Sequence, residues 1–319
     1  MPISRRITGA IAVVLFFAAC KPDKSPTPAP PDSPLAQIAD SGLFAIVAVG
    51  DIGVCGKKGD EQTAALADSL IVSNESAGIK TEVVTMGDHA YPAGLDRDFV
   101  ACFATSWGSP AKHMLHKFHP SMGNHDYQSQ RGAAYYRYFG GQAGYAFKGY
   151  YSFDVGDWHL IALNSEIVAY GTAQEKLEQE KWLEKDLSDF RKPCTLAYFH
   201  RPLFSSGVHG ASSMMRPLWE ILYANNVDVV LAGHDHDYER FLPQNTAGVK
   251  DTLRGITELV AGTGGGALTG FRSRIAPNSA ARVQGRFGVL NITLGASDYR
   301  TQFVEVGGRV WDSHTGRCH

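Results

Sequence analysis

Gly233-His234-Asp235-His236-Asp237-Tyr238-Glu239-Arg240 follows the apolar run from Val227 to Ala232. Val227, Val229, Val230, Leu231 and Ala232 suit a buried strand whose C-terminal end is delivered to a site. His234 and His236 are two residues apart, so a regular strand would point both the same way. Gly233 allows a turn that splays them onto neighbouring metal ions. Neutral imidazole is the commonest protein ligand for zinc, iron and copper. Alone, a His-x-His after a strand is also compatible with two partly exposed loop histidines, and the residues upstream decide between the two.

The same arrangement occurs earlier in the chain. Leu43 to Val49 is a short apolar strand that runs into Gly50-Asp51-Ile52-Gly53. After a segment with helical spacing (Gly59 to Ile71, with Ala64, Leu66, Leu70 and Ile71), Glu82 to Met86 ends in Gly87-Asp88-His89-Ala90-Tyr91. His119 to Met122 leads to Gly123-Asn124-His125-Asp126, and Thr195 to Phe199 leads to His200-Arg201-Pro202. Carboxylates and histidines at strand C-termini, flanked by glycines, occupy the positions where α/β folds place their sites. Further strands are expected at Tyr150 to Val155, His159 to Leu163, Thr257 to Val260, Gly288 to Thr293 and Thr301 to Val306. Helices are expected at Ala173 to Asp189 and Ser213 to Ala224, and a flexible loop at Gly262 to Gly266. Alternating strands and helices with strands late in the chain predict an α/β fold of packed sheets with helices outside.

The five motifs, in order, resemble the metallophosphoesterases of the calcineurin-like superfamily, and within them the purple acid phosphatases. That family's pattern is Asp-x-Gly, Gly-Asp-x-x-Tyr, Gly-Asn-His-Asp/Glu, Val-x-x-His and Gly-His-x-His. The one departure here is Ala197 in place of Val. Other metallophosphoesterases carry a metal-binding histidine where this chain has Gly53. Tyr91 stands where the purple enzymes supply a phenolate, a hard donor that favours ferric iron. The resemblance covers about residues 43 to 319. It implies a four-layer α/β/β/α sandwich with two mixed sheets.

Carried over, the resemblance implies two metal ions bridged by Asp88. Asp51, Tyr91 and His236 would hold Fe(III); Asn124, His200 and His234 would hold Zn(II), Fe(II) or Mn(II). The pair would activate a water for in-line attack on a small phosphate ester, without a covalent intermediate. His125 would face the substrate as phosphoryl ligand or proton donor, with Asp126 as the acceptor that orients it. His209, in the loop Ser205 to Gly210, is either a substrate-facing histidine or a solvent-exposed one. Arg201, Tyr127 and Tyr238 could line the mouth but read as structural. The function implied is phosphomonoester hydrolysis. A phosphodiesterase with the same metals, or a metal-binding or adhesive lipoprotein on the same scaffold, are the alternatives.

Composition and the N-terminus frame this reading. The chain has 319 residues, is 44% hydrophobic and carries a formal charge of −2, which argues against a disordered chain or a nucleic-acid binder. Arg5 and Arg6 precede the apolar run Ile11 to Ala19, which is too short to cross a bilayer but suits a signal peptide. Phe17-Ala18-Ala19-Cys20 resembles the lipobox of bacterial lipoproteins, with Phe17 in place of the usual Leu. Residues 1–20 are therefore expected to be a signal, 21–42 a Pro-rich tether and 43–319 the enzyme domain. The product would be exported and lipid-anchored, facing the periplasm or cell surface, and membrane contact is expected only through that anchor. Cys55, Cys102, Cys194 and Cys318 then suggest two disulfides, with three possible pairings. Cys55 with Cys102 and Cys194 with Cys318 is the expected one.

Overall fold

The computed structural model describes Met1 and residues 42–319 except Leu115. Apart from Met1 and Gly42, the expected signal and tether lie outside the described residues. The chain divides into units Met1–Pro34 and Leu35–His319, and the fold is that of the second. Among the described residues no helix is long and apolar enough to cross a membrane.

The strands are β1 (Phe44–Val49), β2 (Lys80–Met86), β3 (Phe118–Ser121), β4 (Tyr151–Val155), β5 (Trp158–Ala162), β6 (Cys194–Tyr198) and β7 (Val229–Ala232). They continue as β8 (Tyr238–Phe241), β9 (Thr257–Ala261), β10 (Ser279–Val283), β11 (Gly288–Leu294), β12 (Asp298–Glu305) and β13 (Val310–Arg317). One sheet has the order β13-β12-β11-β1-β2-β3, the other β10-β8-β9-β7-β6-β5-β4. Both are mixed. β1, β2 and β3 run parallel in the first, and β5, β6, β7 and β9 in the second.

The central strands β1 and β7 are apolar throughout because both of their faces are covered. In β1, Phe44, Ile46 and Ala48 enter the core between the sheets, packing with Leu196, Tyr198 and Leu231. Val47 and Val49 point the other way, beneath Ala64, Ala67 and Ile71 of the helix Gly59–Ser76. On the outside of the second sheet, Ala197 and Val230 pack under Leu183 and Leu187 of Ala173–Asp189 and Leu218 and Leu222 of Arg216–Ala224. Each fully buried aliphatic side chain contributes about 1.5–3 kcal/mol relative to exposure. The result is helix, sheet, sheet, helix, the four-layer arrangement expected.

Local chemistry explains where several helices begin and end. Ala173–Asp189 opens on a reciprocal cap: Thr172 Oγ1 accepts the Glu175 N–H at 3.2 Å, and Glu175 Oε2 accepts the Thr172 N–H at 2.8 Å. Gly59–Ser76 runs past the expected end at Ile71 and stops only at Ala77-Gly78. Ser213–Met215 forms a short 3₁₀ turn ahead of the α-helix Arg216–Ala224.

Sequence periodicity does not reveal β8, β10 or β13. β8 reads Tyr-Glu-Arg-Phe, and its buried Glu239 is satisfied by Ser206, whose N–H and Oγ donate at 2.7 and 2.6 Å. β13 is an edge strand with alternating half-exposed residues, formed by its ladder with β12.

The two sheets are tied together by polar contacts at their ends. Asp312 on β13 accepts from Tyr238 Oη and Arg240 Nε of β8, both at 2.7 Å. Trp158 Nε1 donates to Gly295 O at 2.8 Å. Cys194 at the start of β6 is joined to Cys318 beyond β13, and Cys55 is joined to Cys102. These are the expected pairings.

The bridges close chain separations of 124 and 47 residues. Loop-closure entropy assigns them about 5 and about 4 kcal/mol respectively. Cys194→Ser/Cys318→Ser should therefore lower the urea midpoint more than Cys55→Ser/Cys102→Ser. Equal or reversed losses in matched urea titrations would show that native-state interactions, rather than chain entropy, set the order.

Candidate metal centre

Five strands, β1, β2, β3, β6 and β7, end around one point, and each is followed by polar side chains. Asp51, Asp88 and His234 sit immediately beyond β1, β2 and β7 with φ of 62°, 53° and 71°. For residues with a Cβ this left-handed region costs energy and persists only where surrounding structure imposes it. Here it folds each donor back across the end of its own strand. Close approach requires glycine as well: a Cβ on Gly123 would collide with Asp88, and one on Gly262 would lie 2.5 Å from Asp51 Oδ2.

The donor atoms form two groups that share one atom. Tyr91 Oη lies 3.1 Å from Asp51 Oδ1, 3.2 Å from Asp88 Oδ2 and 3.2 Å from His236 Nε2. His236 Nε2 is also 3.2 Å from Asp51 Oδ1. In the second group His200 Nε2 lies 3.0 Å from Asn124 Oδ1, 3.1 Å from His234 Nδ1 and 3.4 Å from Asp88 Oδ2. Asp88 Oδ2 therefore belongs to both. Ligands held about 2.1 Å from a single ion stand roughly 3 Å from one another, which is the spacing in each group. Asp51, Asp88 and His200 also meet as a cluster able to hold a metal.

The atoms facing away from the centre are tied down. His125 N–H donates to Asp88 Oδ1 at 2.7 Å and His234 N–H to Asp51 Oδ2 at 2.8 Å, which turns the other oxygen of each carboxylate inward. His200 Nδ1 donates to Met86 O and His236 Nδ1 to Ala267 O, both at 2.8 Å. Each ring thereby presents a bare Nε2.

The electrostatics fit a cation-binding site. Burial opposes charge on His200, yet the Asp88 and Asp51 carboxylates raise it to about 10. Burial likewise opposes charge on His236, and Asp51 raises it to about 9. Burial, then the His200 and Arg201 charges, push His234 down to about 2. Burial together with Asp51 and Asp88 pushes the Tyr91 phenol well above its ordinary range. These shifts share one cause, a surplus of buried negative charge that a cation in each donor group would offset, allowing the phenol to ionise. The donor set fits two cations.

His125 packs beside Tyr91, and His209 beside His234 and His236. The His125 ring packs 4.4 Å from Tyr91, its Nδ1 donates to Pro92 O at 2.6 Å, and its Nε2 is 3.9 Å from Asp88 Oδ2. The His209 side chain is 42% exposed and lies 5.1 Å from the His234 ring and 5.4 Å from the His236 ring, which puts it at the mouth. Its Nδ1 donates to His234 O at 2.7 Å.

Asp126 does not orient His125, contrary to expectation. Its Oδ1 accepts the His89 N–H at 2.9 Å, and its Oδ2 accepts the Gly123 N–H at 3.0 Å and meets His89 Nδ1 at 2.8 Å. The helix Asn124–Gln128 turns the Asp126 side chain inward, away from His125. It clamps the loop carrying Asp88 to the loop carrying Asn124. The segment Gly262 to Gly266 is not a free loop either. Gly264 N–H donates to Gly50 O at 3.0 Å and Gly266 N–H to Asp51 O at 2.8 Å, strapping it over the first motif. Tyr238 is buried against Asp312, away from the mouth.

Residues not singled out by sequence also build the site. His89 sits in a buried aromatic cage of Phe99, Phe103, Tyr135 and Phe139. Glu166 is fully buried and pairs with Arg201, whose Nη1 lies 3.3 Å from His234 Nε2. Asp235, also buried, accepts the N–H groups of His209 at 2.7 Å and Gly210 at 2.9 Å. Asp237 is buried with no partner for either oxygen among the described residues, and burial, then Asp235 and Glu239, raise its carboxyl to about 9. His89, inside the Gly87 to Tyr91 motif, and Asp235 and Asp237, inside the stretch around His236, carried a local signal; Glu166 carried none.

Comparison with known proteins gives the same outline. Residues 44–238 match the model of the family described as calcineurin-like phosphoesterase. Purple acid phosphatase 18 of Arabidopsis thaliana is 35% identical over 122 residues, covering 36% of this chain and 26% of the plant protein. The structure of a purple acid phosphatase from yellow lupin seeds superposes with a TM-score of 0.72 at 21% identity, over 86% of this chain and 54% of the lupin chain. GAP50, the anchor in the inner membrane complex of Plasmodium, superposes with a TM-score of 0.70 at 17% identity, over 87% of this chain and 89% of its own. The match thus takes in about a quarter of the Arabidopsis protein and about half of the lupin chain. The family model extends from β1 into the His-x-His stretch and takes in both donor groups, over well more than half of the 319 residues, and on that match the chain belongs to the calcineurin-like phosphoesterase family.

Proposed function

We propose that this chain is an exported, dinuclear-metal phosphomonoesterase of the purple acid phosphatase type. The observation that carries the proposal is the sharing of Asp88 Oδ2 between two donor groups of opposite character. Asp51, Tyr91 and His236 would hold a trivalent ion, Fe(III). A phenol flanked by two carboxylates gives up its proton only to a highly charged neighbour. Asn124, His200 and His234 are neutral donors and would hold Zn(II), Fe(II) or Mn(II). When bound, such a pair supplies Lewis acidity to a phosphoryl group and an activated water.

The chain's own residues would do the rest. His125 keeps Nδ1 on Pro92 O, which leaves Nε2 at the opening. In its doubly protonated form it would hand that proton to the leaving oxygen. His209, held through Nδ1, would offer Nε2 to a phosphoryl oxygen. Asp126, through His89 and Gly123, would keep Asp88 and Asn124 in register. Export and lipidation at Cys20 are supported by Arg5, Arg6, the run Ile11 to Ala19 and the Ala18-Ala19-Cys20 ending. Two disulfides agree with an oxidising compartment.

Three experiments test this. The purified protein should contain two metal ions, at least one of them iron, with a visible absorption band that Tyr91→Phe bleaches; a chelator should abolish turnover. A colourless, active, zinc-only protein would rule out the ferric assignment, and a fully metallated protein without turnover would favour a non-catalytic scaffold. Cys20→Ser should accumulate as a soluble or uncleaved form; unchanged processing and fractionation would point to a plain secretory signal. His125→Ala should cost about 10²- to 10⁴-fold on an alkyl phosphate, whose alkoxide needs a proton, and far less on a nitrophenyl phosphate. Equal losses on both esters with metals retained would make His125 a phosphoryl ligand instead.

A further inference from the structure

We propose that His159 is a doubly protonated imidazolium buried between Asp154 and Asp186, and that it latches the helix Ala173–Asp189 onto the β4–β5 hairpin. Loss of one ring proton would release that end of the helix. The latch lies away from the metal centre and uses none of its residues.

The three residues come from three elements. Asp154 on β4 stands opposite His159 on β5 in their antiparallel ladder, and Asp186 lies in the last turn of the helix. His159 Nδ1 is 2.7 Å from Asp154 Oδ1, and its Nε2 is 2.8 Å from Asp186 Oδ2. The side chain is 1% exposed, so water replaces neither contact. A neutral imidazole has one N–H and one bare nitrogen. Whichever nitrogen were bare, its lone pair would face a carboxylate oxygen at hydrogen-bond distance. Only the cation donates to both. The aspartates have partners of their own that favour their ionised forms: Lys192 Nζ lies 3.4 Å from Asp154 Oδ2, and Ser152 Oγ donates to Asp186 Oδ1 at 2.6 Å. Burial opposes charge on Asp154, yet His159 and Lys192 hold its carboxyl below the ordinary range. The remaining neighbours of the ring are uncharged: Phe190 stacks on it at 5.7 Å, and Thr195 of β6 lies beside it in the sheet. Two carboxylates, the imidazolium and the Lys192 ammonium make a neutral cluster. Without the ring proton, a buried negative charge would be left uncompensated.

The sign of the pH dependence follows from this geometry. Burial opposes charge on His159, but the hydrogen bonds and charges of Asp154 and Asp186 raise it from its ordinary 6.5 to about 9. A group raised on folding contributes its full stability below its unfolded value and loses it as pH rises through its folded one. The latch is therefore whole below about 6.5, weakens as pH rises, and is lost above about 9. The helix it holds also carries Gln179, two turns before Asp186 on the same face. Gln179 Oε1 accepts the Asn164 N–H at 2.7 Å, and its Nε2 donates to Asn164 O at 3.1 Å. Asn164 in turn caps the helix Ser165–Tyr170, which brings Glu166 to Arg201. One helix thus runs from the latch to the edge of the metal centre.

The test begins with the metal-loaded full chain carrying nitrogen-labelled histidine. Near neutral pH, nuclear magnetic resonance should show protons on both His159 ring nitrogens; a proton on only one would overturn the proposal. Urea unfolding of wild type and His159→Gln is then compared from about pH 6 to about pH 10, the difference at each pH cancelling the titration of other groups. The advantage of wild type in the unfolding equilibrium constant should shrink about 10²-fold over that range. A difference that stays constant would give His159 only a packing role against Phe190 and overturn the latch. Asp186→Asn should move the loss to lower pH, because one carboxylate no longer favours the cation; an unmoved profile would count against the geometry. Amide exchange of the peptide containing Asp186, corrected for its intrinsic pH dependence, should rise in wild type as pH passes about 9 and show no such step in His159→Gln. Wild type without the step would mean that the helix end is not released, and would overturn the proposal. If His159→Gln does not fold, the resonance titration, the wild-type exchange and Asp186→Asn decide the question.

Discussion

Asp88 Oδ2 stands 3.2 Å from Tyr91 Oη on one side and 3.4 Å from His200 Nε2 on the other. Tyr91 belongs to the strand-end loops of one sheet and His200 to those of the other. That single oxygen can serve both groups only if the sheets keep one relative position to within a few tenths of an ångström. Much of the remaining structure serves this requirement. The interleaved core around Ile46, Leu196 and Leu231 sets the spacing of the sheets. The Asp312 contacts, the Trp158–Gly295 hydrogen bond and the Cys194–Cys318 bridge oppose sliding at the ends.

Closer to the centre, buried acids hold the loops. Asp126 joins the second and third motifs through His89 and Gly123. Glu258 accepts the N–H groups of Leu203 and Phe204, each at 3.0 Å, Asp235 takes those of His209 and Gly210, and Glu239 takes that of Ser206. The loop from His200 to Gly210 is thus held by backbone N–H groups bonded to carboxylates that lie beneath it. A hydrogen bond to a charged group contributes about 1.5–3 kcal/mol net. Several of them offset the strain that positive φ imposes on Asp51, Asp88 and His234.

Charge explains why these residues tolerate burial. The carboxylates of Asp51 and Asp88 lie among histidines, and their charge raises the basicity of His200 and His236 against the effect of burial. A cation in each donor group would offset that charge. The same surplus of negative charge draws Arg201 to the edge of the centre, where Glu166 holds it.

Much of this was legible in the sequence because it depends on local order. A strand buried on both faces reads as a continuous apolar run, and a donor that must turn back across its end is accompanied by glycine. Asp51, Asp88, Asn124, His200, His234 and His236 were therefore identifiable, as was the α/β class. The sandwich layering and the individual ligand roles came from the motif resemblance. Contacts made at long range were not legible. Nothing near Asp126 says that its carboxylate goes to His89 rather than His125; helix direction decides that. Glu166 lies 35 residues from Arg201, and only the packing of the helix Ser165–Tyr170 beside the end of β6 brings them together. β8 and β13 lack an apolar pattern because Glu239 and Asp312 find their partners across the fold. Sequence determined which atoms could bind and where each strand would release them. Tertiary structure decided which of them meet, because a hydrogen bond or a shared ligand depends on distance in space and leaves no period in the chain.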